Sequence, residues 1–542
     1  MSGPISYAHG TTLSPLIGET IGSYFDRVVS SHPERDALVV PHQDVRWSYR
    51  ELATRVNRLA GGLVAIGLRP GDRMGIWAPN CAEWVLAQYA SAKAGVILVN
   101  INPAYRTSEL AYVLKQSGCR LLVSAHAYKT SDYAGMAQEV APRCRELERT
   151  VFLDSGEWDE VLAAGDSDHP LPEGLQFDDP INIQYTSGTT GFPKGATLTH
   201  HNILNNGFFI GVGCGYTFED RVCVPVPFYH CFGMVLGNLA CTTHGACIVV
   251  PAPTFDPRAT LHTVQEERCT SLYGVPTMFI AELALPEFDD FDLGSLRTGI
   301  MAGSPCPVEV MRKVIERMNM SEVTICYGMT ETSPVSTQTS ATDDIEHRTA
   351  TVGSVHPHVE VKIIDPISGA CVERGVAGEL CTRGYCVMLG YWNDPEQTAK
   401  AIDRAGWMHT GDLATMDSDG YVKIVGRSKD LVIRGGENIY PREVEEFLYG
   451  HPDISDVQVV GVPDERYGEQ IAAFVIARAA RTIDPEAVRD FCRGKIAHYK
   501  IPRYVIPVDE FPMTVTGKVQ KFKLRERAIE SLELQPAVVP TA

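Results

Sequence analysis

The stretch YTSGTTGFPKGATLTH, Tyr185 to His200, gathers the residue types that handle phosphate. Thr186, Ser187, Thr189 and Thr190 carry hydroxyls, Gly188 and Gly191 permit tight turns and close backbone approach, and Lys194 adds a point charge. The stretch reads as a nucleotide phosphate loop that opens into a helix-like segment. It is not the P-loop pattern G-x-x-x-x-G-K-S/T. Counted from Gly188, the glycine position is occupied by Pro193, and Lys194 is followed by Gly195.

Two other polar turns follow apolar runs in the same manner. INIQY leads into the loop, LRTGIM leads into AGSPCP, and EVTIC leads into YGMTETSP. In open α/β sheets ligands gather beyond the carboxyl ends of strands, so three such turns predict one shared site. Any one of them alone would read as an ordinary strand-to-helix turn.

The elements that must hold these turns alternate along the first half of the chain. YRELATRVNRLAGGLVAIG has helical spacing and DRMGIWAP reads as a buried strand; AEWVLAQYASAKAG and VILVNIN repeat the pair, as do RTSELAYVLKQSG and RLLVSA. CIVVPAP, DPRATLHTVQEERC and TSLYGVP resume it later. The fold class expected is α/β: a large N-terminal domain, residues 1–426, with parallel-rich sheets covered by helices. Beyond it the character changes. YVKIVGR, DLVIRGG, DVQVVGVP and QIAAFVIARA are short strands, interleaved with the helices PREVEEFLYG and PEAVRDFCRGKI. A smaller α+β domain is expected over residues 427–542, ending in a frayed tail.

Composition narrows the function classes. A chain of 542 residues exceeds a single core, and 44% hydrophobic with 21% charged residues is ordinary globular usage. A net charge of −19 argues against a general nucleic-acid binder, which needs a basic face, but leaves nucleotides open. No apolar run is long enough to span a bilayer, so no integral membrane segment is expected. The first residues lack a secretory or transit pattern. Fifteen cysteines without a CxxC pair suit a reducing cytoplasm rather than a disulfide scaffold or zinc site. HExxH and GxSxG motifs are absent, which leaves metalloprotease and serine-hydrolase readings unsupported.

YTSGTTGFPKGA resembles the phosphate loop of the AMP-forming adenylating enzymes: acyl-CoA synthetases, aryl-CoA ligases, peptide-synthetase adenylation domains and firefly-type luciferases. Further motifs of that superfamily follow in its order. YGMTE (Tyr327–Glu331) resembles the adenine and magnesium motif, GWMHTGD ends on Asp412, GRSKDLVIRGGENIYPREVE resembles the hinge and coenzyme-facing loop, and TVTGKVQK contains Lys518. The resemblance spans nearly the whole chain and is greatest to medium-chain fatty-acyl-CoA synthetases.

It implies a two-step reaction: a carboxylate attacks the α-phosphate of ATP to give acyl-AMP and pyrophosphate, and a thiol then displaces AMP. It also implies roles. Glu331 and Thr186 would bind Mg2+, and Ser187, Gly188, Thr189, Thr190, Gly191 and Lys194 would cradle the phosphates of ATP. Tyr327 would stack on adenine with Gly303, Ser304 and Pro305 on its other face; Gly328, Met329 and Thr330 complete that motif. Asp412 and Arg427 would hold the ribose hydroxyls. Lys518 would contact the carboxylate and α-phosphate as a catalytic residue, beside Glu331 and Thr186. His230 and Phe232 in PFYHCFG would line the entrance to the acyl pocket, with Gly303 and Gly328 bordering it. Lys429 would be the hinge of a mobile C-terminal domain, and Gly435, Gly436 and Glu437 in RGGEN (Arg434–Asn438) would face coenzyme A.

The expected partners are therefore a small carboxylic acid, ATP and coenzyme A, with Mg2+ as cofactor. The function expected is an ATP-dependent carboxylic acid–CoA ligase for fatty acids of medium length; an aryl-CoA ligase of the 4-coumarate type, an enzyme loading acyl-adenylate onto a carrier protein and a luciferase-like oxygenase remain open, and the intact Glu331, Asp412, Arg427 and Lys518 set argues against a nucleotide-binding module with a dead site. Assembly as a homodimer also remains open.

Overall fold

Ser48 starts the first long helix through a reciprocal cap. Its hydroxyl accepts from the backbone N–H of Glu51, and the Glu51 carboxylate accepts from the N–H of Ser48 at 2.8 Å. The helix, Tyr49–Ala65, buries Leu52, Val56, Leu59 and Leu63 and packs against helices Ala82–Ala94 and Gly156–Ala164. Apolar residues at helical spacing produce that face. These elements belong to a computed structural model that describes residues 4–165, 170–186, 193–304, 306–434, 437–514 and 519–534.

The described chain divides into two compact units. One holds residues 8–361 and 381–409; the other holds 1–7, 362–380 and 410–542. The first contains two large sheets. In the seven-stranded sheet, Pro180–Thr186, Ile97–Asn100, Arg73–Trp77, Leu121–Ser124 and Arg149–Phe152 lie side by side and parallel. Lys194–Thr199 and Gly390–Tyr391 then add antiparallel strands at the Pro180–Thr186 edge. In the nine-stranded sheet, Glu322–Gly328, Thr298–Ala302, Ser271–Gly274, Arg221–Cys223, Cys247–Val249 and Asp36–Val40 are parallel in that order. Antiparallel strands close both of its edges. A single apolar cluster includes Leu98 and Ile76 of one sheet and Ile248 and Ile300 of the other, with Trp84 and Phe228 fully buried in it.

The phosphate loop does not lead from a strand into a helix. It joins two antiparallel strands, with Thr186 paired to Lys194 and Tyr185 to Gly195, and the helix begins only at His200. KGATLT forms a strand because its β-branched threonines fit a pleated surface against Pro180–Thr186.

In the second unit, Ile454–Asp464 and Gly468–Ala477 form a long antiparallel pair. Val432–Arg434, Glu437–Ile439 and Tyr504–Pro507 extend it into a five-stranded sheet, covered by helices Pro441–Tyr449 and Pro485–Cys492 over one core and by Lys521–Ser531 over another. The boundary expected after residue 426 falls within the hairpin of Met408–Met416 and Val422–Arg427. The pairing of Asp412 with Arg427 there places 410–426 in the same unit as the residues that follow. Among the described residues no helix is long and apolar enough to cross a membrane.

Candidate active site

Two of the three polar turns leave neighbouring strands of one sheet, Thr298–Ala302 and Glu322–Gly328, while the third leaves the other sheet at Thr186. Side chains join them. Glu331 sits in the single helical turn Thr330–Thr332, is 5% exposed, and accepts a hydrogen bond on Oε1 from the Thr186 hydroxyl at 3.3 Å. The Tyr391 hydroxyl donates to the same oxygen at 2.8 Å. Burial, and then the Glu331 charge, push the Tyr391 phenol above its ordinary pKa, so it stays a neutral donor.

Lys194 lies beside this pair. Its ammonium donates to Gln397 Oε1 at 2.7 Å and stands 5.1 Å from the centre of the Tyr391 ring. Tyr391 reaches this place because Gly390–Tyr391 pairs with Ala196 and Thr197 of the strand that follows the phosphate loop. Ser187, Gly188, Thr189, Thr190, Gly191, Pro305, Gly435, Gly436 and Lys518 lie outside the described residues.

The YGMTE turn is held from within. Gly328 has a packing reason to be glycine: a Cβ there would lie 1.7 Å from the Pro334 carbonyl oxygen. Met329 N–H donates to the Thr332 hydroxyl at 3.1 Å, and the hydroxyl donates to the Pro334 carbonyl at 2.7 Å. Tyr327 is half-buried at the end of its strand, opposite Thr337. Gly303, at the end of Thr298–Ala302, has φ 90°, a conformation that favours glycine, and Ser304 follows it half-buried.

The segment that carries His230 and Phe232 meets the same turn through Cys231. His230 Nδ1 accepts from the backbone N–H of Phe232 at 3.1 Å, and the Cys231 sulfur lies 3.8 Å from the Thr330 hydroxyl. Phe232 is buried and stacks on Tyr273 at 5.7 Å between ring centres. Phe232–Leu239 forms a π-helix, a rare wide turn found often at functional sites, and every residue in it is buried. Beneath it lies a polar network with no signal in the sequence. Asn100 donates to Met234 Sδ at 3.3 Å, Gln184 donates to the same sulfur at 2.9 Å, and Gln184 also donates to Asn182.

In the second unit, Asp412 is 6% exposed and Arg427 Nε donates to its Oδ1 at 2.8 Å. Lys429 is exposed in the short turn Ser428–Asp430 that follows Arg427. Glu437 pairs with Arg434 next to the tip of a hairpin, and the Arg434 guanidinium donates to the Tyr499 carbonyl at 2.8 Å.

An acidic oxygen ringed by hydroxyls, a neighbouring ammonium and a glycine-rich hairpin can bind a metal–phosphate group. Comparison with known proteins agrees. Residues 25–392 match the AMP-binding enzyme family, and residues 443–518 match the AMP-binding enzyme C-terminal domain. YngI of Bacillus subtilis (strain 168), provisionally named an acyl-CoA synthetase, is 50% identical, covering 96% of this chain and 99% of its own. The mitochondrial medium-chain acyl-CoA ligase ACSF2 of Danio rerio is 45% identical, covering 98% of this chain and 91% of its own. The crystal structure of the anthranilate CoA ligase AuaEII with anthranoyl-AMP superposes with a TM-score of 0.88 at 26% identity, covering 96% of this chain and 99% of that one. ATP-bound MatB from Rhodopseudomonas palustris gives 0.84 at 31% identity, covering 94% and 99%. The chain belongs to the AMP-binding enzyme family, as the joined Thr186, Glu331 and Lys194 lead one to expect.

Proposed function

We propose that this AMP-forming acid–thiol ligase activates uncharged fatty acids of medium length and transfers them to coenzyme A. The observation that carries the chain-length reading is the wholly buried π-helix Phe232–Leu239 behind His230, whose side chains are apolar except Asn238. The Asn238 amide nitrogen donates to Gln88 Oε1 at 2.8 Å. The medium-chain specificity named for ACSF2 supports the same reading.

In the first step Thr186 and Lys194 hold the phosphates of ATP, and Lys518 meets the carboxylate and the α-phosphate. Asp412 and Arg427 hold the ribose. Glu331 and Thr186 fit Mg2+: the metal prefers hard oxygen donors, and both described hydroxyl bonds go to Oε1 of Glu331. Mg2+, when bound, supplies neutralisation of phosphate charge. In the second step residues 427–542 swivel about Lys429, and Gly435, Gly436 and Glu437 line the path of the coenzyme thiol. The fifteen cysteines, all free thiols, suit the cytoplasm. Light scattering on the purified chain tests for a homodimer.

The experiment is pyrophosphate release and thioester formation across straight-chain acids, with and without coenzyme A. Each buried CH2 contributes roughly 0.8 kcal/mol, so kcat/KM rises about fourfold per carbon until the pocket is full. An aryl acid is the second reading, favoured by the Phe232–Tyr273 stack. It wins if cinnamic-type acids beat octanoate by about tenfold or more, a margin larger than two methylenes bring at the low end of that scale.

A further inference from the structure

Tyr391 lies in none of the motifs that define the phosphate site, yet it touches both of its charged members. Its hydroxyl donates to Glu331 Oε1, and its ring face stands under the Lys194 ammonium. We infer that Tyr391 is a positioning residue for adenylation, its hydroxyl aiming the Glu331 carboxylate at the metal and its ring holding Lys194 ready for the β- and γ-phosphates. The inference rests on the reading of Glu331 and Lys194 given above.

Three features support a positioning role over simple packing. First, the Tyr391 and Thr186 hydroxyls both donate to one oxygen of Glu331, at 2.8 and 3.3 Å, which restricts the carboxylate's rotation. Second, Lys194 is pinned from two directions, by Gln397 and by the ring, and a ring face attracts an ammonium without consuming its remaining donors. Third, the backbone of Tyr391 is clamped. Its N–H donates to the Thr398 hydroxyl at 2.9 Å, the hydroxyl donates to the Asp394 carbonyl at 2.8 Å, and Gly390 before it has φ 147° with Thr398 where a Cβ would project. A loosely held tyrosine could orient nothing; this one is fixed at strand and turn alike.

The hydroxyl and the ring can be separated. Tyr391→Phe keeps the ring and removes the bond to Glu331. Tyr391→Leu removes both, and Tyr391→Met is a second such variant should the leucine protein not fold. The measurements, all without acid substrate, are Mn2+ binding to the enzyme–ATP complex by electron paramagnetic resonance, ATP affinity in EDTA, AMP affinity and thermal midpoint.

Tyr391→Phe is expected to weaken Mn2+ binding about tenfold, the loss of one hydrogen bond to a charged group, with ATP affinity in EDTA unchanged. Tyr391→Leu is expected to weaken ATP binding in EDTA about threefold as well, the loss of a half-buried cation–π contact. AMP affinity and thermal midpoint stay at wild-type values in both. Wild-type Mn2+ affinity in Tyr391→Phe overturns the inference, as does equal ATP affinity of the two variants in EDTA, or a parallel loss of AMP binding. Pyrophosphate release by the wild type with fatty acids is measured first. Its absence removes the proposed function itself, a result distinct from failure of the variants.

Discussion

Arg427 Nε lies 2.8 Å from Asp412 Oδ1, and the two residues face each other across antiparallel strands. The carboxylate is nearly buried and the guanidinium half-exposed, so the arginine orients the acid rather than burying with it. A carboxylate held in this way can accept hydroxyl groups of a ribose.

Asp412→Ala should therefore weaken ATP and AMP alike, by about 10- to 100-fold, the range for a hydrogen bond to a charged group. Arg427→Ala should cost less, because its partner keeps its position on the strand. Calorimetric titration with both nucleotides checks this. Loss of ATP binding with intact AMP binding would place Asp412 at the phosphates instead.

Much of this arrangement was legible in the sequence, and the reason is local. The helical spacing of YRELATRVNRLAGGLVAIG matches the helix Tyr49–Ala65, and INIQY and EVTIC, apolar runs followed by polar turns, lie in strands. Glu331 and Thr186 were placed together by motif and do touch. The strand after the expected phosphate loop is harder to read from the sequence: in KGATLT only Ala196 and Leu198 alternate with threonines, too short a run to mark a strand without the neighbour it pairs with. Tyr391 and the Gln184–Met234 contact were missed for a similar reason: each joins residues tens of positions apart, and nothing near either residue marks the partner.

Glu282 offers a prediction on stability. It is 1% exposed in the helix Pro276–Leu283, and among the described residues neither carboxyl oxygen has a hydrogen-bond partner. Burial raises its pKa well above the ordinary 4.5, so the folded protein keeps the proton that the unfolded chain releases. A raised folded-state value means the stability is full below the ordinary value and is lost as pH rises above it, by about 1.4 kcal/mol per unit. Glu282→Met should be more stable than wild type at neutral pH by about 1–3 kcal/mol, with the gap narrowing toward acid. Urea midpoints at several pH values measure it, and a constant gap would show that Glu282 does not titrate.

Lys429 follows the Asp412–Arg427 pair in an exposed turn, a position that can absorb a change of backbone angle without disturbing a core. Proline fixes φ near −65° and removes the N–H. Lys429→Pro should release pyrophosphate and retain acyl-AMP while forming little thioester. Equal loss of both half-reactions in a folded protein would rule out a hinge at this residue.

The sharpest test pairs two residues in opposite senses. If residues 427–542 alternate between two placements, Lys518 serves adenylation and the Gly435–Gly436 pair serves thioester formation, and neither serves both. The Lys518 ammonium stabilises charge where carboxylate meets α-phosphate, and loss of such a donor typically lowers the rate by about 10²–10³. Lys518→Ala should fail to make acyl-AMP but should still convert supplied acyl-AMP and coenzyme A to thioester. Gly436→Trp should do the reverse, because a bulky side chain obstructs a thin thiol-bearing arm and leaves ATP chemistry untouched. Each half-reaction is measured separately in each variant. If Lys518→Ala is equally impaired with supplied acyl-AMP, or Gly436→Trp loses adenylation first, the alternation is wrong for this chain and one fixed arrangement must perform both steps.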